Sequence, residues 1–391
     1  MSDSSLVDIV PVRKRRRWPW ILLVSIGVVL GAIYLAISWY LSGLIENAIK
    51  IDQDDAPNIL TVESVGPKDV TYTLDDPDYN DIGLLAIKTA AGGWTQTSDP
   101  EGTAPTSRTV GKDQAPPELS SGQAGRFEAS YFYQDPKQGL DLEFQNVVVD
   151  TPLGEAPAWF VPGRKDTWAI YVHGRGSSRD EGLRILSTAA AEGYPTLMIT
   201  YRNDDEAPAA NGYSHFGADE WEDLDAAAQY ALDNGAKDLM LLGTSAGGAV
   251  ALAFLDNSPN AEKVAAMFLD SPFVNLGQAV DLEAEEMGLP SFLLPGAKLL
   301  AQWRFGVNFS AVNYTEGVEN YGITTTVVQG TEDETEPPEI TKTYVEAVNE
   351  AHPGAVRYEV FPQAPHVASW NVDRPRYEKI LSELLEESQA R

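Results

Sequence analysis

The segment LLGTSAGGAV, residues 241–250, places one hydroxyl, that of Ser245, among glycines and alanines. An apolar strand that turns sharply into an alanine-rich helix forces its junction residue into a strained conformation, and the flanking residues must have almost no side chain. Gly243, Ala246, Gly247 and Gly248 meet that demand. Ser245 is therefore a candidate nucleophile, and it needs a base because a serine hydroxyl alone reacts poorly.

Four histidines are available as that base: His173, His215, His352 and His366. His173 precedes a glycine-rich turn, and His352 lies at the end of a predicted helix, before a proline. His366 lies in QAPHVASW, just after the last predicted strand, where its ring can reach back over the sheet edge towards Ser245. We therefore predict His366 as the general base.

A third group, an acid, would hold the imidazole tautomer and stabilise its cation. The loop after TTTVVQG contains several acids, and Asp333 is favoured because it falls third after the glycine that ends the strand. Its neighbours Glu332, Glu334 and Glu336 are more typical of a solvated acidic surface. Asp270, in FLDSP after the preceding strand, is the alternative acid. Either choice keeps the chain order serine, acid, histidine.

Acyl transfer also needs two fixed N–H donors for the oxyanion. The amide of Ala246, next after the serine, is one candidate. The second is the amide of Arg175 in HGRGSS, because that turn follows the strand expected beside the strand of Ser245. We expect no metal or other cofactor, since no histidine pair has helical i, i+4 spacing and cysteine is absent.

The elements that must position these groups begin at residue 127, where strands start to alternate with helical stretches. This order predicts a mostly parallel sheet with helices on both faces. The predicted strands are LEFQNVVVD, APAWFVP, TWAIYVHG, PTLMITY, DLMLLGTS, KVAAMFLDSP, TTTVVQG and AVRYEVFP, of which the first two are expected to be antiparallel. Ser245 would stand at the top of this sheet, beside a helix N-terminus whose N–H groups favour negative charge.

The combined pattern HGRGSS, GTSAGG, LDSP, QGTEDE and APH resembles the α/β-hydrolase superfamily across roughly residues 140–388. The segments WAIYVHGRGSSRDEGLR, ITYRNDDEAP, FGADEWEDLDAAAQYAL and HVASWN are similar to an N-terminally anchored actinobacterial group of hydrolases, and more distantly to membrane-anchored Bem46-type hydrolases. The resemblance implies an α/β-hydrolase fold, a triad of Ser245, Asp333 and His366, and a serine hydrolase reaction.

Between FLDSP and TTTVVQG lies an insertion with a helical pattern, about residues 275–318. Such insertions commonly cover the strand ends as a lid. Its large apolar residues are expected either to line an acyl pocket or to pack the lid on the body. They are Leu289, Phe292, Leu293, Trp303 and Phe305.

Residues 18–45 contain no charged side chain and are long enough, as a helix, to cross a bilayer. Aromatic residues stand at both ends, with Trp39 and Tyr40 at the second, as is typical of membrane interfaces. RKRRR precedes the segment and acids follow it, so the positive-inside rule places residues 1–17 in the cytoplasm and the rest of the chain outside. A cleaved signal peptide is the alternative, but its apolar region is usually shorter.

Residues 46–126 are predicted as a membrane-proximal region ahead of a catalytic domain at 127–391. Short apolar runs up to residue 90 fit a few strands. Residues 92–125, rich in Gly, Ser, Thr and Pro, are expected to form a long loop or connector.

The formal charge of −30 is unevenly distributed: five basic and two acidic residues give residues 1–17 a charge of +3, which leaves −33 for the rest. So acidic a body is repelled by phosphates, which excludes nucleic acid as a partner. The absence of cysteine excludes disulfides and thiol catalysis.

The sequence thus predicts a membrane-anchored, extracytoplasmic serine hydrolase that cleaves small or lipid-like carboxylic esters through an acyl-enzyme on Ser245. A serine peptidase is an alternative because the same triad cleaves amides. A second alternative is a binding protein that keeps the fold without turnover.

Overall fold

Three bodies follow one another along the chain: an apolar helix, a small β-barrel, and a sheet flanked by helices. The computed structural model describes residues 18–51, 58–76, 82–89, 94–101, 106–110, 119–132 and 134–388. The predicted basic tail, residues 1–17, lies outside these residues. The structure confirms the predicted α/β-hydrolase architecture with an apolar helix before it.

Helix α1 extends over Trp18–Ile49. Its part Trp20–Ile49 is long and apolar enough to cross a membrane. Large apolar side chains are exposed as far as Tyr40, and Leu44 is partly exposed, whereas Leu41 and Ile45 are buried against the rest of the chain. The exposed part is the part available to a bilayer, and the helix continues past residue 45, the predicted end of the span, as a packed segment.

Six antiparallel strands of the described residues close into the small barrel. They are β1 (Leu60–Val65), β2 (Asp69–Leu74), β3 (Leu85–Thr89), β4 (Trp94–Glu101), β5 (Thr106–Val110) and β6 (Ala124–Glu128). Their order around the barrel is β1-β2-β5-β4-β3-β6. Closure pairs every strand on both sides, so the barrel exposes no sheet edge.

The prediction of a long connector over residues 92–125 is wrong, because β4 and β5 lie within it and β6 begins there. Thr95 and Thr97 of β4 are buried, and the Thr97 hydroxyl donates to the Leu85 carbonyl at 2.7 Å. Since threonine fills these buried positions, the apolar alternation that reveals a strand is missing from the sequence. Strand β6 also crosses the predicted domain boundary at residue 126.

The larger sheet has eight strands among the described residues. They are β7 (Gln145–Thr151), β8 (Gly154–Val161), β9 (Thr167–Val172), β10 (Thr196–Ile199), β11 (Asp238–Thr244), β12 (Val264–Asp270), β13 (Thr324–Gly330) and β14 (Val356–Phe361). The order is β14-β13-β12-β11-β9-β10-β8-β7. Strands β9 to β14 are parallel, while β7 and β8 pair antiparallel, as predicted.

Helices cover both faces of this sheet. They are α2 (Pro136–Leu140), α3 (Leu183–Ala191), α4 (Trp221–Asp233), α5 (Ala246–Asn257), α6 (Leu276–Glu286), α7 (Leu294–Phe305), α8 (Pro338–Ala351), α9 (Ser369–Val372) and α10 (Arg374–Glu387). Helices α4, α5 and α8 share one core, and α3 and α10 share the core of the opposite face. We call α6, the 3₁₀ turn Ser291–Leu293 and α7 the lid; they lie within the predicted insertion.

Asn371, in α9, joins the barrel to the hydrolase body. Its side-chain amide donates to the carbonyls of Leu84 and Ala129, which lie at the ends of two barrel strands. Its side-chain oxygen accepts from the Arg184 guanidinium at 3.1 Å. Gly83 approaches so closely that a Cβ there would lie 2.6 Å from the Asn371 carbonyl oxygen. The buried side chain of Asn371 therefore forms hydrogen bonds with both the barrel and the hydrolase body.

Replacing this amide is expected to destabilise the protein. Asn371→Ala removes three hydrogen bonds, one of them to a charged group, and should lower the free energy of unfolding by about 2–4 kcal/mol. Urea unfolding of the full chain in detergent measures the change. Asn234→Ala, at an exposed helix end, is the matched control and should cost less than about 1 kcal/mol. Equal losses in both variants would contradict a joining role for Asn371.

Candidate active site

Ser245 occupies a strained turn between β11 and α5. Its backbone has φ 51° and ψ −119°, a region that residues other than glycine rarely adopt. A Cβ on Gly247 would lie 2.1 Å from the Val172 carbonyl oxygen, and one on Gly248 would lie 2.7 Å from the Pro272 Cβ. The turn can pass this close to its neighbours only because these positions have no side chain.

The structure brings Ser245, His366 and Asp333 into one hydrogen-bonded chain. The Nε2 atom of His366 lies 2.8 Å from the Ser245 Oγ atom. Its Nδ1 atom lies 2.9 and 2.8 Å from the two carboxylate oxygens of Asp333. Because a carboxylate only accepts hydrogen bonds, the ring proton is on Nδ1, and Nε2 is left to accept from the serine hydroxyl.

Several donors fix the Asp333 carboxylate. The side-chain amide of Gln329 donates to it at 2.7 Å, and the backbone amides of Thr335 and Glu336 donate at 3.1 and 2.9 Å. Gln329 is itself held, because its oxygen accepts from the Thr341 hydroxyl at 3.0 Å. The acid is therefore oriented before any substrate arrives, which is what a group that positions an imidazole requires.

Asp270, the alternative acid, has a different partner. Its carboxyl group accepts from the Tyr377 hydroxyl at 2.9 Å, and its backbone carbonyl accepts from the Ser245 amide at 2.8 Å. Burial raises the pKa of Asp270 to about 6, against the opposing effects of the Arg184 charge and the Tyr377 hydrogen bond. Asp270 thus supports the backbone of the turn, while Asp333 is the carboxylate bonded to His366.

Of the two predicted oxyanion donors, Ala246 follows the serine directly in the chain and Arg175 lines the same cavity. Ala246 is the first residue of α5, so its N–H has no acceptor within the helix. The Gly174 amide donates to the Glu181 carboxylate at 2.9 Å and is therefore occupied. Arg175, next in the chain, lines the same cavity as Ser245, and its guanidinium donates to the Lys50 carbonyl at 2.9 Å, just past the end of α1.

His173 positions the turn that contains Arg175. It is buried, and its ring nitrogens lie 2.9 Å from the Gly174 carbonyl and 2.9 Å from the Asp204 carboxylate. Although burial favours the neutral ring, the Asp204 charge and the two hydrogen bonds raise the pKa of His173. The other two histidines, His215 and His352, bond to Asp219 and to the Val318 carbonyl.

A cavity of about 800 Å³ opens above Ser245 and His366. Its apolar lining includes Phe216, Phe273, Leu276, Val280 and Met287, and its acidic lining comprises Glu181, Glu283, Glu286 and Glu334. Arg175 is the one arginine or lysine among the residues that line it. The wall of the cavity is therefore partly apolar and partly acidic.

The predicted acyl-pocket residues are mostly elsewhere. Phe292 and Trp303 are 68% and 74% exposed, and Leu293 and Phe305 are buried in the core. Leu289 lines a separate groove between α1 and the lid. None of the five is among the residues that line the catalytic cavity, whose lid residues come mainly from α6, so the prediction of an acyl pocket is wrong for these residues. The buried Leu293 and Phe305 fit the alternative, packing of the lid on the body.

Two further residues, which the sequence alone does not mark as functional, support the site. Arg184 is buried and donates to the Val367 carbonyl at 2.8 Å, next to His366. Ser271 accepts from the Val367 amide at 3.2 Å through its hydroxyl. Together they fix the histidine loop. In the sequence Arg184 resembles any charge on a solvated helix face, so no signal distinguished it.

This fold and this site define an α/β hydrolase with a serine–histidine–aspartate arrangement. A model of the prolyl oligopeptidase family, peptidase S9, matches residues 184–388, which is more than half of the 391-residue chain. The chain therefore belongs to the prolyl oligopeptidase family. No curated protein sequence matches it significantly.

Solved structures of the Pyrococcus furiosus esterase Pf2001 are similar to this chain. In space group P212121 the TM-score is 0.53 at 22% identity, covering 66% of this chain and 95% of the esterase. In space group P21 the TM-score is 0.51 at 22% identity, covering 65% and 96%. At this identity the likeness confirms the fold.

Asp270 should make stability depend on pH. Its pKa is raised from 3.8 to about 6 in the folded state, so the folded protein retains a proton that the unfolded chain loses, and this contribution to stability is lost as pH rises through that window. The free energy of unfolding of Asp270→Asn, relative to the unsubstituted protein, should therefore rise by roughly 2 kcal/mol between pH 4 and 7. Urea titrations at several pH values measure the difference, and parallel curves would contradict it.

Proposed function

We propose that this protein is a serine hydrolase that cleaves carboxylic esters through an acyl-enzyme on Ser245. The hydrogen-bonded chain from the Ser245 hydroxyl through His366 to Asp333 carries the proposal, with contacts of 2.8 to 2.9 Å. Each residue has the geometry that its role requires. The Ser245 hydroxyl lies within hydrogen-bond distance of the base His366, and His366 is bonded to the fixed carboxylate of Asp333.

The reaction follows from these contacts. Ser245 Oγ attacks the acyl carbonyl carbon while its proton passes to His366 Nε2, and Asp333 stabilises the imidazolium. The oxyanion accepts from the amides of Ala246 and Arg175. His366 then gives its proton to the leaving oxygen, which departs as an alcohol. Water attacks the acyl group as His366 removes its proton, which releases the acid and restores the serine.

The cavity supports a mainly apolar acyl substrate. Its volume of about 800 Å³ and its apolar walls suit a drug-sized or chain-like ligand. Four glutamates against one arginine in the lining disfavour an anionic substrate. An uncharged or cationic ester fits best. No cofactor enters the proposed reaction.

Peptide cleavage is the second candidate, because the matching family is one of peptidases. The similar solved structures are esterases, and the apolar cavity agrees better with ester substrates. Matched esters and anilides with the same acyl group distinguish the candidates. A kcat/KM for the anilide equal to or above that for the ester would favour the peptidase.

We infer that α1 anchors the hydrolase to a membrane with the catalytic body outside the cytoplasm. Support comes from the length and apolar character of Trp20–Ile49 and from the basic cluster before it, which favours retention in the cytoplasm. A membrane-impermeant fluorophosphonate tests this: labelling of intact cells agrees with the proposal, and labelling only after lysis contradicts it.

Substitutions in the triad should separate catalysis from folding. Ser245→Ala should abolish fluorophosphonate labelling and lower kcat for a short-chain p-nitrophenyl ester by at least about 10⁴-fold, and Asp333→Asn should lower kcat by a similar factor because the imidazole loses its tautomer. Asp270→Asn is the matched control and should retain labelling. Ester turnover that survives Ser245→Ala would contradict the assignment.

A further inference from the structure

The lid carries an apolar surface that packing on the body leaves exposed. Phe292, Leu299 and Trp303 are 68%, 68% and 74% exposed. Leu299 and Trp303 are four residues apart in α7 and therefore share one side of it, and Phe292 lies in the 3₁₀ turn just before α7. Large apolar side chains gathered on one exposed side are typical of a surface that contacts a membrane or another protein.

This surface lies directly beside α1. Gly296 of the lid is so close that a Cβ there would lie 2.4 Å from the Ser38 hydroxyl oxygen. The Tyr34 hydroxyl donates to the Phe292 carbonyl and accepts from the Gly296 amide, both at 3.2 Å. Small residues allow such close approach between helices in membranes. The lid is thus docked on the apolar helix that precedes the barrel.

Further contacts with α1 set the position of the lid along this helix. The Arg304 guanidinium lies 4.2 Å from the centre of the Trp39 ring and donates to the Ser42 hydroxyl at 2.6 Å. The end of α7 is therefore level with the aromatic residues expected at the outer interface. Tyr34, which contacts the start of the lid helix, lies about 7.5 Å further towards the bilayer along α1.

The part of the lid at this depth has the composition that insertion into a bilayer requires. Residues 287–297, MGLPSFLLPGA, carry no charged side chain. We call this segment the lid tip. An uncharged apolar segment enters the acyl region of a bilayer at low cost, whereas a charged one does not.

A narrow, mostly apolar groove lies beside this region and shares lining residues with the catalytic cavity. Its volume is about 40 Å³, and its walls include Leu41, Leu44, Ile45, Leu289 and Leu294. Ala48, Val280, Glu283 and Met287 line both the groove and the cavity above Ser245. Met287 is exposed and unbranched, and such a side chain repacks readily. The groove can therefore widen where the two spaces meet.

We propose that the lid tip inserts into the bilayer beside α1, and that the acyl chain of an uncharged membrane lipid ester reaches Ser245 through the groove. The proposal rests on the proposed function and on α1 crossing the membrane. An acyl chain that moves from lipid into an apolar groove exposes little hydrocarbon to water, so the transfer costs little. The acids Glu283 and Glu286 near the groove disfavour anionic lipids.

The test uses the full chain reconstituted in phosphatidylcholine vesicles. Two rates are compared for each variant: hydrolysis of p-nitrophenyl palmitate dissolved in the vesicles and hydrolysis of p-nitrophenyl acetate in water. Phe292→Asp places a charge in the lid tip, and Ala48→Trp fills the junction of groove and cavity. Val148→Asp and Ala191→Trp, at exposed sites on β7 and at the end of α3, are the matched controls.

We expect both lid-side variants to lower the ratio of palmitate to acetate rates at least tenfold, while both controls leave it unchanged. An unchanged ratio in Phe292→Asp and Ala48→Trp would overturn the proposal. If Ala48→Trp loses both activities, Phe292→Asp alone decides by the same ratio. Failure of the proposed function has a different signature, since the unsubstituted protein would then hydrolyse neither ester, or Ser245→Ala would hydrolyse both.

Discussion

The close approach of two backbone segments governs the site. The turn at Gly247 passes so near the end of β9 that a Cβ there would overlap the Val172 carbonyl oxygen at 2.1 Å. This contact presses the start of α5 against the parallel sheet and forces Ser245 into its positive φ. The serine hydroxyl consequently projects from the sheet edge and not into the helix. His366 contacts the hydroxyl at that edge.

The other groups of the site are held from separate strand ends. His366 follows β14 and Asp333 follows β13, while the turn with Arg175 follows β9. In parallel strands these ends lie at the same edge, so residues far apart in sequence meet there. Buried polar contacts then set the precise positions: Gln329 orients Asp333, and Arg184 fixes the loop of His366. Networks of this kind hold reacting groups in place before a substrate binds.

The sequence was sufficient to predict the sheet and to select Ser245, Asp333 and His366, which the structure brings together, because strands and turns leave local patterns. Continuous apolar runs mark strands buried on both faces, and the glycines around Ser245 mark the turn. The barrel strand β4 was missed because Thr95 and Thr97 occupy buried positions that usually hold aliphatic residues. The pocket residues were misplaced because an apolar residue in a helical insertion can face the cavity, the core or a membrane. The side chains of Phe292 and Trp303 are exposed, whereas that of Leu293 is buried. Which of them is exposed depends on how the lid docks on α1.

Every role proposed for the site depends on covalent chemistry at Ser245, and trapping of the acyl-enzyme measures that chemistry directly. The protein is mixed with excess p-nitrophenyl ester, quenched in acid within the first turnovers, digested, and analysed by mass spectrometry. We expect the mass of the acyl group on the peptide that contains Ser245, and we expect no such adduct in the His366→Ala variant. Ester turnover with no adduct on that peptide, or an adduct on a different residue, would contradict this expectation.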